Sequence, residues 1–123
     1  MNSNERFERG QRALQQIDGQ DGQAVVDSLA DIAPDLARYI IEFPFGDIYS
    51  RPGLDLRSRE VATIAALTAM GNARPQLKVH IKAGLNVGLS QDEIVEIMMQ
   101  MAVYAGFPAA LNGIFAAKEV FAE

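Results

Sequence analysis

The sequence predicts an all-α fold: a single-domain bundle of six or seven helices. Apolar residues recur at three- and four-residue spacing, and glycine and proline divide the chain into helix-length pieces. No useful length of chain alternates β-branched or aromatic residues with polar ones, so strand signals are scarce. With 49% of its 123 residues hydrophobic and 22% charged, the chain has the balance of one globular domain, residues 1–123, rather than of a disordered tail.

The elements follow in order. A first helix is expected over about Asn4 to Ile17, with a turn at Asp18-Gly19-Gln20-Asp21-Gly22. A second helical stretch starts near Gln23 and restarts at Pro34, because proline fits a first turn but costs about 3 kcal/mol inside a helix. From Asp35 to Phe43, Leu36, Tyr39, Ile40 and Phe43 share one face. The next segment, Pro44 to Gly53, holds two prolines and two glycines and reads as a structured loop rich in aromatic groups. Asp55 is placed to cap a central helix over about Leu56 to Met70, with Val61, Ile64, Ala65 and Thr68 on its apolar face and Gly71 at its end. Leu77, Ile81 and Leu85 then mark a helix that admits Pro75 in its first turn and stops by Gly88. Ser90-Gln91-Asp92-Glu93 fits a capping box, followed by the stripe Ile94, Ile97, Met98, Met101 and Ala105. Gly106-Phe107-Pro108 separates that helix from a last one, about Ala109 to Phe121.

Composition excludes several classes of function. A formal charge of -5 with no basic cluster argues against nucleic-acid partners. Every apolar run falls short of the roughly 20 residues of a membrane span, and the polar opening residues carry no leader-like core, so a cytoplasmic location is expected. The chain has no cysteine, which removes disulfides, thiolate metal sites and any catalytic thiol. No metal is expected, because one histidine among scattered acids lacks a ligand spacing such as His-Glu-x-x-His. No glycine-rich loop has the spacing of a phosphate cradle or dinucleotide fingerprint, so no cofactor is expected.

Three residues can carry chemistry. His80, the only histidine, sits beside the Leu77–Ile81 stripe and is the natural proton carrier near neutral pH, although a hydrogen-bonded core histidine would occupy the same position and the residues alone favour that reading. Glu60 enters a helix as it turns apolar, so its carboxylate is either paired, for instance with Arg57 or a neighbouring subunit, or perturbed. The turn near Gly71 to Arg74 lies about midway between Glu60 and His80, and an antiparallel hairpin permits the two to face each other. Arg51 is either a solvated loop residue or a bidentate anchor for a carboxylate. Met98, Met99 and Met101 read as packing groups rather than as a cofactor site.

Gly46-Asp47-Ile48-Tyr49-Ser50-Arg51-Pro52-Gly53-Leu54-Asp55 resembles the Gly-Glu-Ile-Trp-x-Arg-Pro-Gly-Leu-Asp segment of bacterial γ-carboxymuconolactone decarboxylases. The resemblance continues through Glu5-Arg6-Phe7-Glu8-Arg9-Gly10, through His80 with Ala83-Gly84-Leu85-Asn86-Val87-Gly88, and through Tyr104-Ala105-Gly106-Phe107-Pro108-Ala109. The wider superfamily includes an alkylhydroperoxidase branch with a Glu, a Cys-x-x-Cys and a His four residues later. Glu60 and His80 match its first and last members, whereas Ala73 and Gln76 fill the cysteine positions, so its thiol peroxidase cycle has no nucleophile here.

The resemblance implies an alkylhydroperoxidase-like helical scaffold, a homo-oligomer (trimer or hexamer), and cofactor-free decarboxylation of a small anionic lactone in aromatic catabolism through the β-ketoadipate pathway. It implies catalytic roles for His80 and Glu60 and substrate binding by Arg51, Tyr49 and Asp47. Two positions depart from the pattern: Asp47 stands where Glu is usual and Tyr49 where Trp is usual, which bears on pocket depth and substrate choice. A hydrolase or isomerase of a related small acid, and a non-catalytic binding or assembly protein on the same scaffold, stand as alternatives.

Overall fold

The computed structural model describes residues 3–123, which are helical throughout apart from short turns. They form two compact units, one ending at Asp55 and the other running Leu56–Glu123.

The first unit holds α1 (Ser3–Ile17), α2 (Gly19–Asp27), α3 (Pro34–Ile40) and a wide-turn π segment, Ile41–Ile48. The turn between α1 and α2 is tighter than the expected stretch from Asp18 to Gly22. Gly19 takes φ +58° and Gly22 is already inside α2, where a Cβ would lie 2.5 Å from the Cβ of Asp18.

A second expectation is overturned at Pro44. The helix does not stop there. Proline has no N–H to give, and its ring collides with the carbonyl four residues back at ordinary helical pitch. The chain widens instead, and the Tyr49 amide reaches back five residues to the Pro44 carbonyl at 2.7 Å. Ile41 and Phe45 are thereby buried in succession, while Leu36, Tyr39 and Phe43, of the shared apolar face, are exposed. Ala37 is the buried residue of α3.

α1 packs most extensively on the π segment. Two glycines allow this approach. A Cβ on Gly10 would fall 1.9 Å from the Ile41 carbonyl oxygen, and one on Gly46 would fall 2.7 Å from that of Arg6. Both neighbours are backbone and cannot swing aside, so the glycines set the depth at which the Arg6–Arg9 face of α1 meets the turn that follows.

The second unit holds α4 (Leu56–Met70), α5 (Arg74–Asn86), α6 (Gln91–Ala105) and α7 (Phe107–Phe121). α4 packs against α5, α6 and α7, and α5 and α6 each pack on α7. Their shared core is Ile64, Leu77, Ile81, Leu89, Ile94, Met98, Ala116, Ala117 and Val120, with Val61, Leu67, Leu85 and Ile97 packed at its margin. Burying each large aliphatic side chain contributes about 1.5–3 kcal/mol, so this cluster accounts for most of the unit's cohesion. The capping box is present in full: Ser90 Oγ accepts from the Glu93 amide at 3.0 Å, and Glu93 Oε1 accepts from the Ser90 amide at 2.9 Å. α7 begins two residues before its expected start, with Pro108 inside its first turn. Among the described residues no helix is long and apolar enough to cross a membrane.

Candidate active site

The buried seam of α4 is Glu60, Ile64 and Thr68, one residue per turn. Glu60 therefore points where an aliphatic side chain would be expected, and only 1% of it is exposed. A carboxylate in such a place requires a partner. Arg57, one sequence-based candidate, is engaged elsewhere: its guanidinium pairs with Glu93 of α6. The partner is His80 of α5.

His80 Nδ1 lies 3.0 Å from Glu60 Oε2 and 3.2 Å from Oε1, with 17% of the imidazole side chain exposed. With the ring proton on Nδ1, the imidazole donates to the carboxylate, and the contact fixes the orientation of the ring. The helical hairpin anticipated from the spacing thus brings the two residues into contact. The hydrogen-bonded histidine favoured by the sequence is what the structure shows. An imidazole and a carboxylate are in addition donor types that zinc and related ions accept, so the pair could supply two ligands.

The arginine of the motif sits in a different setting. Arg9, Gly46, Asp47, Ser50, Arg51 and Pro52 line an open pocket of about 280 Å³ in the first unit. The π segment delivers Gly46 and Asp47 to its wall, and the turn beyond it is closed by bonds from the Arg51 amide to the Ile48 carbonyl at 3.0 Å and from Ser50 Oγ to the Phe45 carbonyl at 2.7 Å. Asp47 lines the pocket with both carboxylate oxygens engaged. Arg6 grips it in bidentate fashion, Nε to Oδ1 at 3.1 Å and Nη2 to Oδ2 at 2.7 Å. Arg9 reaches Oδ1 from Nη2 at 3.4 Å and donates Nε to the Gly46 carbonyl at 2.6 Å. The Arg6 hydrogen bonds hold the Asp47 carboxyl below its ordinary range, and Asp47 in turn holds the Arg6 guanidinium above its own. Tyr49 is not among the lining residues; its ring packs on Phe45 with centroids 5.1 Å apart.

Arg6 and Arg9 were not singled out from the sequence, although a signal for them exists. They lie at i and i+3 of α1, followed by Gly10 at i+4, a spacing that puts two cations and a gap for a neighbouring backbone on one face.

The fold is all-helical, with a buried carboxylate bonded to a part-exposed imidazole. The sequence model described as the carboxymuconolactone decarboxylase family matches residues 34–119. The chain is 33% identical over 122 residues to 4-carboxymuconolactone decarboxylase of Acinetobacter baylyi, covering 98% of this chain and 90% of that one. It is 33% identical over 97 residues to an uncharacterized 15.0 kDa protein of Paracoccus denitrificans, covering 78% and 72%. A nitrosuccinic acid decarboxylase of Metarhizium robertsii is 31% identical over 75 residues, covering 61% and 52%. The chain belongs to the carboxymuconolactone decarboxylase family.

Proposed function

We propose that this chain is a cofactor-free decarboxylase of a small lactone carboxylic acid, resembling 4-carboxymuconolactone decarboxylase of aromatic catabolism. The observation that carries the reading is the buried Glu60 fixing His80 Nδ1, in a chain 33% identical to a decarboxylase over nearly its whole length. Two relatives of differing substrate, one a lactone acid and one nitrosuccinic acid by name, both support a carboxy-lyase kind of reaction.

In such a lactone the departing carboxylate is attached to a ring carbon conjugated through a double bond to the lactone carbonyl. The C–C bond breaks, carbon dioxide leaves, and the electron pair spreads into the ring as a dienolate. The protein has three tasks: hold the substrate's carboxylates, stabilise charge on the lactone oxygen, and return one proton to carbon. Arg51 takes the first, with Tyr49 and Asp47 belonging to the same binding segment. His80 takes the proton step, and Glu60 orients it and balances the imidazolium that forms in the cycle.

The test is incubation of the purified protein with γ-carboxymuconolactone, reading carbon dioxide against ring-opened acid. Carbon dioxide release that is lost in His80→Ala and Arg51→Ala supports the reading, and survival of turnover after dialysis against a chelator supports its metal-free form. Ring opening without carbon dioxide would instead favour the hydrolase alternative. The proposal also takes the protein to be a cytoplasmic homo-oligomer, trimer or hexamer. The exposure of Tyr104 (77%) and Phe107 (75%), with Leu111 and Phe115 further along α7, supports self-association. Analytical ultracentrifugation giving a monomer at micromolar concentration would reject that part.

A further inference from the structure

We infer that Glu119 of α7 is a positioning residue for His80, acting with Arg74 and Lys78 to set the roll of α5 about its own axis. The inference deepens the reading of His80 as the proton carrier, and its functional meaning rests on that reading.

α5 meets its neighbours in the second unit through three parallel rows. The apolar row, Leu77 and Ile81, is buried in the core. Arg74, Lys78 and Lys82 recur at i, i+4 and i+8 and run along one edge of that row. His80 lies three residues past Leu77 and one before Ile81, which at about 100° per residue puts it along the opposite edge. Each edge meets an acid of another helix. On the histidine side, Nδ1 is 3.0 Å from Oε2 of Glu60 on α4. On the cation side, Glu119 takes Arg74 Nη2 on Oε1 at 2.7 Å and Lys78 Nζ on Oε2 at 3.2 Å, and Lys82 Nζ meets Glu123 Oε1 at 2.6 Å.

The edges and the middle differ in what they tolerate. Apolar contact is non-directional, so Leu77 and Ile81 stay buried through a modest rotation of the helix. The polar edges do not share that latitude. With side chains reaching about 5–6 Å from the axis, a roll of about 20° carries a tip by about 2 Å, enough to part a hydrogen-bonded pair. Both edges ride on one rigid cylinder, so a roll that moves the cation row moves the imidazole by a similar arc. The ladder to α7 therefore limits how far His80 can swing from Glu60. Glu119 is its central member, because one carboxylate ties two successive turns of α5. The Lys78 hydrogen bond, and after it the Arg74 charge, hold the Glu119 carboxyl below its ordinary range. About half of the Glu119 side chain is exposed, so each pair adds little to stability, and orientation is the larger part of what the ladder contributes.

The experiment reads the proton affinity of His80 by NMR in the intact protein. The chain has one histidine, so there is one imidazole to follow. The double variant Arg74→Gln/Lys78→Gln separates position from field. Loss of two positive charges acts through the field to raise the proton affinity of a nearby imidazole, whereas loosening of the Glu60 contact lowers it. In about 0.15 M salt, where the field is screened beyond about 8 Å, the double variant should show a fall of about threefold. Glu119→Gln should show a fall of similar size. A rise or no change in the double variant, or no change in Glu119→Gln, overturns the inference. No turnover is read. An imidazole that follows the ladder, in a protein that releases no carbon dioxide, sinks the decarboxylase reading and leaves the positioning intact. Turnover that is lost in His80→Ala, with an imidazole indifferent to the ladder, sinks the positioning alone.

Discussion

Glu60 and Asp47 are both carboxylates with a basic partner, and the two units hold them in opposite ways. Glu60 is sealed on α4 beside Ile64, one turn away, and its hydrogen bonds go to a single imidazole. Asp47 lines an open pocket, held by two guanidiniums and with 29% of its side chain exposed. The buried pair is rigid, so its value lies in geometry: loss of either member leaves a polar group in an apolar seam. The part-exposed cluster is screened in part by solvent, so less rests on any one of its ion pairs. The two carboxylates thus differ in burial, and the interactions that hold them differ with it.

The largest effect that would break this comparison is expected at His80. His80→Ala should lower decarboxylation by about 10²- to 10⁴-fold, the usual worth of a positioned acid or base. It should also destabilise the protein by about 3 kcal/mol in urea unfolding, because Glu60 loses its buried partner. A variant with full turnover would show that the buried pair serves packing alone. Glu60→Gln keeps an acceptor against the ring but removes the charge. A charge-assisted bond contributes roughly 1.5–3 kcal/mol, so turnover should drop on the order of ten- to a hundredfold with the fold intact by circular dichroism.

On the pocket side, Gly10→Ala tests whether close approach of α1 sets the arginines. Its methyl would meet the Ile41 carbonyl, and overpacking of this kind costs about 1–3 kcal/mol, or more where only backbone can yield. An unchanged thermal midpoint would refute it. The smallest effect belongs to Asp47. Its folded-state pKa is lowered by Arg6, so its contribution to stability is present above the ordinary aspartate pKa and is lost as pH falls through the lowered value. The stability gap between wild type and Asp47→Asn should be visible at neutral pH and close on acidification. A gap that widens in acid would reverse the assignment.

The second unit was the more legible from sequence. Leu56–Met70 matches its expected limits, and the Ser90–Glu93 box forms as drawn, because caps and glycine stops act within a few residues. Contact between Glu60 and His80 was permitted by the turn midway between them, but the spacing alone left other partners for Glu60 open. In the first unit the signals misled. Pro44 reads locally as a breaker, and only the tertiary setting, with α1 against the segment, makes the wider helix worthwhile. The outward face of α3 followed from this, since the periodic pattern Leu36, Tyr39, Phe43 says that a stripe exists but not what covers it. Arg6 and Arg9 escaped notice for a related reason: their meaning depends on Asp47, some forty residues away in the chain.

The π segment carries one more consequence, for engineering. A helix that returns its bonds over five residues behaves as an ordinary helix into which one extra residue has been inserted, each residue turning the frame by about 100°. Excising a single position between Ile41 and Pro44 would let the segment revert to common pitch and would swing Asp47 out of the grasp of α1. The spare residue is a phase-setter for the whole arginine cluster.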